Sequence, residues 1–166
     1  PTEKAVDIVV GDGHILVLTE HGQVWTIGWQ HRSALGRGPM LTSADARRAA
    51  PVPGLDAIVQ IGAGATYSLC LDVQGRVWMF GEGPCVAGAL GDHASVHEPR
   101  QVPAMAFGGR RVLAASCGDG HVLALTAWDP HCCLVQPGAW TSQSSQLAKE
   151  LPDQDSDDIV LGEWTP

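Results

Sequence analysis

The stretch Gly11–Gly28, GDGHILVLTEHGQVWTIG, decides how this chain is read. It recurs at Gly64–Gly81 as GATYSLCLDVQGRVWMFG, and its first half recurs from Gly118 as GDGHVLALT. Gly11, His14, Gly22, Trp25 and Gly28 register without a gap on Gly64, Tyr67, Gly75, Trp78 and Gly81, and Gly118 and His121 repeat the opening. A unit written twice and begun a third time, at a spacing of about 53 residues, marks a repeat architecture such as a solenoid or propeller. Inside the unit, short apolar runs are separated by Gly-Asp-Gly and Glu-His-Gly, residues that accept the backbone angles of tight turns. Gln23–Ile27 alternates with period two, as a strand does. Strand, turn, strand, turn, strand is an antiparallel meander, so the expected class is all-β.

An apolar run precedes each unit and predicts an opening strand. The first, Val6–Val10, is expected to be buried on both faces. Ala57–Ile61 and Arg111–Ala115 hold the same place in the second and third units. Thr42–Arg48 is expected to form one surface turn of helix. The repeat region covers residues 1–126, with units near 6–56, 57–110 and 111–126. Residues 127–140 form a divergent end to the last unit, with Cys132–Val135 as its replacement strand. Residues 141–166 read as an acidic, polar tail, solvated except for a closing apolar stretch, IVLGEWTP.

Composition excludes several classes of function. The net charge is -8 over 166 residues, and 18 acidic residues outnumber 10 basic ones. Most of that excess lies after Thr126, and the pairs Arg47–Arg48 and Arg110–Arg111 are too small in sequence to meet a phosphate backbone. Direct nucleic-acid binding is not expected. No apolar run approaches the roughly 18 residues that span a bilayer, and PTEKAVD has no features of a leader peptide. Five cysteines, odd in number and irregularly spaced, suggest reduced thiols and an intracellular setting, cytoplasmic or nuclear and not secreted. Cys70 and Cys117 read as small hydrophobes.

Sites of chemistry are sparse. Gly62–Thr66 follows a strand but precedes another strand, so no helix N-terminus is present to hold a pyrophosphate. His93 and His97 have a spacing that binds zinc on a helix, but Ala-Ser-Val between them is poor helix material and no third ligand is near. No nucleophile motif appears. The chain is therefore expected to have no catalytic residues, no metal and no cofactor. His14, Tyr67 and His121 share one repeat position, where a ring that is either His or Tyr suits packing plus a hydrogen bond better than proton transfer. Trp25 and Trp78 read as core anchors of successive units. Trp29, just past the first unit, is the candidate interaction residue.

Two copies of the fixed-glycine, Val-Trp pattern, Ile8 to Gly28 and Ile58 to Gly81, are each followed by Leu-Gly and then prolines. Together with the front half at Val112–Thr126, they resemble the regulator of chromosome condensation repeat. That resemblance implies a β-propeller of four-stranded blades, seven in the family's usual ring. Here it implies an incomplete propeller or a segment of a larger one. Two and a half units cannot close a ring, so open blade faces require protein partners that cover or complete the propeller. The expected function is a non-enzymatic protein–protein interaction scaffold. The family's founding activity, guanine-nucleotide exchange on a small GTPase, is the alternative.

Overall fold

The computed structural model describes residues 3–29, 33–91, 95–127 and 161–163. They form three antiparallel sheets in chain order. The first contains β1 (Ala5–Val10), β2 (His14–Thr19), β3 (Val24–Gly28) and β4 (Ala50–Pro51), paired in that order. The second contains β5 (Ile58–Ala63), β6 (Tyr67–Asp72), β7 (Val77–Gly81) and β8 (Val96–Gln101), again in order. The third contains β9 (Val112–Cys117), β10 (Val122–Thr126) and β11 (Leu161–Glu163), with β10 in the middle. Each sheet is one blade of a β-propeller, and the chain holds a segment of such a ring. β5 packs on β1 and β2, and β9 packs on β5 and β6, so the blades stack face to face.

Two short helices occupy the excursions between third and fourth strands. α1 (Ser43–Ala46) lies inside the expected helical turn, and Thr42 caps it by accepting the Asp45 amide at 3.2 Å. α2 (Pro84–Leu90) was not legible as a helix. It begins on a proline, whose missing N–H costs nothing at that position, and ends on Gly91 in the left-handed region.

The repeats register differently from the apolar pairs in the sequence. Ile8 faces Val17 across its sheet, and Ile61 faces Cys70, so Ile8 corresponds to Ile61 rather than to Ile58. Ala115, opposite Ala124, is the third equivalent. Ile58 precedes, and Ile8 follows, a β-bulge that all three blades carry. Pairing slips between Ala5 and Asp7, between Ile58 and Gln60, and between Leu125 and Thr126 opposite Val112. An extra residue per strand shifts every side chain beyond it to the other face.

β1 corrects a second expectation. It is exposed along nearly its whole length, not buried on both faces. β5 and β9 bury their equivalent residues against the preceding blade, whereas no described element precedes β1. The core is centred on the second blade, where all six residues of β6 are buried together with Val77, Met79 and Phe80 of β7. Each large apolar side chain buried there contributes about 1.5–3 kcal/mol.

The third blade differs from the sequence reading in its source of strands. Its third strand, β11, comes from the closing apolar stretch of the segment read as a polar tail, with Leu161 opposite Leu125 and Glu163 opposite Leu123. The proposed replacement strand Cys132–Val135 lies outside the described residues, as do Cys132, Cys133 and His93.

Candidate interaction surface

The repeat glycines and rings form the joints between blades. Gly11, Gly64 and Gly118 each donate a backbone hydrogen bond to the carbonyl of the ring residue three positions on, at 2.8, 3.0 and 2.8 Å. That tight turn lays His14, Tyr67 or His121 over the glycine. A Cβ on any of the three would overlap the ring, so only glycine fits. His14 and Tyr67 then reach across to the next blade. His14 Nε2 lies 3.0 Å from Ser68 Oγ, which donates to the Ala34 carbonyl at 2.8 Å. The Tyr67 hydroxyl stands 3.0 Å from the Gly118 carbonyl and 2.7 Å from that of His121. Burial lowers the His14 pKa, and burial raises that of Tyr67, so both rings sit neutral between blades.

The second hairpin turn forms the other joint. Gly22 (φ 77°) and Gly75 (φ 81°) adopt left-handed angles and press against the next blade's opening strand. Gly22 accepts the Ile58 amide and Gly75 the Val112 amide, each at 3.1 Å. Gly28 and Gly81 close the third strands beside His14 and Tyr67, also at positive φ.

The two tryptophans at repeat positions sit differently from core anchors. Trp25 and Trp78 are half-buried, while Val24 and Thr26, and Val77 and Met79, take the buried sites on the same strands. Trp78 packs on the rim of the core, and its indole N–H donates to Asp72 Oδ2 at 3.1 Å. Asp72 also accepts the Gln74 and Arg76 amides at 3.0 and 2.9 Å, and Arg76 Nε at 2.6 Å. Burial opposes ionisation of this carboxyl, but the bonds from Trp78 and Arg76 outweigh it and hold its pKa below the usual range. In the first blade Thr19 stands where Asp72 does, and the Trp25 indole N–H meets no acceptor among the described residues.

Among the described residues, the other candidates pack and hydrogen-bond within the fold. His97 places Nδ1 2.7 Å from Ser33 Oγ, tying the first blade's excursion to β8. Among the described residues, no three metal-binding side chains come together. Cys70 and Cys85 are buried, and burial pushes the Cys85 and Cys117 thiols up to about 11 and that of Cys70 further. At neutral pH these thiols are protonated and weakly nucleophilic. No described helix is long and apolar enough to cross a membrane.

Two surface features escaped the sequence reading. The bulge residues Val6, Val59 and Leu113 are equivalent, one per blade, and are 54%, 55% and 47% exposed. A cavity of about 210 Å³ opens between the second blade and the segment that leads into β9, lined by Arg76, Arg110, Arg111, Gln101 and Phe107 among others. The pair Arg110–Arg111 looked isolated in sequence, and the fold brings Arg76 to it. Trp29 is 69% exposed, but its amide bonds the Gly13 carbonyl, which places it at the first-turn end of its blade, opposite the cleft. Only the recurrence of an aliphatic at the bulge position signals the row, and the bulge itself is not readable from one sequence.

Comparison with known proteins accords with this architecture. Residues 5–33 and 74–125 match the regulator of chromosome condensation (RCC1) repeat. Mouse "Regulator of chromosome condensation" is 36% identical over 108 residues, covering 65% of this chain and 25% of that protein. Human "E3 ubiquitin-protein ligase HERC2" is 30% identical over 125 residues, covering 74% of this chain but 2% of the ligase. The chain thus spans a quarter or less of these relatives. Among solved structures, yeast RCC1 (Prp20) bound to Kap60 is similar with a TM-score of 0.62 and 22% identity, over 76% of this chain and 28% of that one. Prp20p from Saccharomyces cerevisiae, described together with its binding to Gsp1p and histones, gives a TM-score of 0.65 at 15% identity, over 90% and 35%. At such identities the structural likeness speaks to the fold.

Proposed function

Because this chain belongs to the regulator of chromosome condensation repeat family, we propose that it is a non-enzymatic interaction scaffold, a propeller segment that presents one end of its blades to a protein partner. The observation that carries this reading is the row Val6, Val59 and Leu113, three equivalent aliphatics held outward by bulges, on a chain whose second blade also bears an arginine-lined cleft. Exposed apolar residues arrayed on a rigid frame that also carries an arginine-lined cleft suit a partner with an apolar strip and acidic groups. Blades locked by the glycine and ring joints provide the frame.

The test is binding of a panel of small GTPases, measured by calorimetry on the chain and on Val59→Asp and Leu113→Asp variants. Retained melting temperature with at least tenfold weaker binding of whichever probe binds supports the row as the contact. Unchanged affinity refutes it. A second reading, nucleotide exchange or other regulation of a small GTPase, is favoured by the 36% identity to the mouse regulator. Accelerated nucleotide release from a panel member supports it, and a flat response excludes it for that panel.

A further inference from the structure

The joint between the first and second blades is built like the joint between the second and third, except for one set of side chains. Gly22 accepts the Ile58 amide as Gly75 accepts that of Val112, so Gln23, Asp56 and Ala57 are the equivalents of Arg76, Arg110 and Arg111. The Val52 amide bonds Val24 as the Val102 amide bonds Val77, which makes Pro51 the equivalent of Gln101. The first joint therefore closes with no arginine at these positions and with an aspartate in the place of one. Beside the second joint all three arginines line the cavity of about 210 Å³, together with Gln101, and among the described residues no carboxylate lines it. The joint itself does not require this cationic wall. Two of the arginines are held in place. Arg76 donates from Nε to Asp72 at 2.6 Å and from Nη2 to Gln74 at 3.1 Å, and its guanidinium lies over the Trp78 ring, 5.7 Å from the centroid. The Arg111 stem runs along Gly75, in space that a Cβ there would fill.

We propose that this cleft binds a phosphoryl group carried on a serine or threonine side chain of a protein partner. A carboxylate's two oxygens are matched by a single guanidinium fork, whereas three forks on one cavity suit a group with three acceptor oxygens. The cavity is smaller than the roughly 300–1,000 Å³ of pockets that enclose a whole small ligand, so it takes one group at the end of a side chain. A polynucleotide is a poorer source of the phosphoryl group. It would need a row of cations along its backbone, and the net charge of -8 repels a polyanion. The inference deepens the scaffold reading, and it rests on that reading only for the source of the phosphoryl group.

The test titrates the isotope-labelled 166-residue chain, followed by amide chemical shifts, with serine capped at both ends, its O-phosphorylated form, capped glutamate and a short single-stranded oligonucleotide. Capped phosphoserine should shift the amides of Gly75, Gly109 and Arg111 along saturable curves. Capped serine should shift none of them, and capped glutamate should bind at least tenfold more weakly. Affinity for phosphoserine should rise several-fold from about pH 5 to about pH 7.5, because its second ionisation lies near about pH 6. No histidine or carboxyl lines the cleft among the described residues, so the rise reads the ligand's charge. Arg111→Gln should weaken phosphoserine binding at least tenfold at an unchanged melting temperature, and Arg48→Gln, which lies outside the cleft lining, should leave it unchanged. Absence of saturation by capped phosphoserine, equal affinity for capped glutamate, tighter binding of the oligonucleotide, a flat pH profile, or equal losses from Arg111→Gln and Arg48→Gln each overturns the proposal. Neither a protein partner nor a residue of the bulge row is used, so the cleft can fail this test while the row still binds, and the reverse.

Discussion

Asp72 shows how one side chain ties a blade's second turn to its rim. It is buried and ionised because it accepts four hydrogen bonds, from two backbone amides, Arg76 and Trp78. Its folded pKa lies below the unfolded value, so its contribution is complete above about pH 3.9 and is lost as pH falls through the folded value. His14 acts in a higher window. Burial disfavours its protonation, so the unfolded chain takes the proton first, and stability declines as pH falls below about 6.5. Denaturant titrations should therefore show two acid-side losses. His14→Gln should flatten the loss below pH 6.5, and Asp72→Asn, costing about 1–3 kcal/mol at pH 7, should flatten the loss below pH 4. The Arg76 side chain is about half exposed, so most of the Asp72 cost is assigned to the indole and backbone donors rather than to the ion pair. The sequence showed that Trp25 and Trp78 repeat, but not that an aspartate satisfies only one of them.

At the scale of the element, the second hairpin turn does two things with one glycine. Its left-handed angle closes the turn, and its carbonyl holds the next blade. Gly54 has a similar angle, φ 76°, but nothing lies near where its Cβ would be, whereas a Cβ on Gly75 would meet Arg111 and the Val112 carbonyl. Both Gly→Ala changes carry the backbone cost of about 1 kcal/mol. Gly75→Ala should cost about 1–3 kcal/mol more, because it crowds a packed joint. Equal losses in chemical denaturation would mean that the turn works within its own blade alone. The turns were legible because glycine has few other reasons to recur at one place. The bulges were not, because an extra residue in a strand changes pairing without changing composition.

Among the described residues, the second blade is covered on both sides and the outer two on one. Stability in stacked repeats is roughly a sum of unit and neighbour terms, so amide exchange should be slowest in β6 and fastest in β1, with β10 between them. Uniform protection across the three blades would show that the stack opens only as one unit. Meander topology and turn glycines follow from the sequence alone, since each is a local pattern of apolar period and backbone permissiveness. The half-buried setting of Trp25 and Trp78, the exposure of Ile8 and the meeting of Arg76 with Arg110 and Arg111 were decided by tertiary structure. So was the entry of Leu161–Glu163 as the third strand of the last blade. The physical reason is common to all of them. Burial and charge clustering depend on which blade lies alongside, and a residue's own neighbours in the chain carry no record of that.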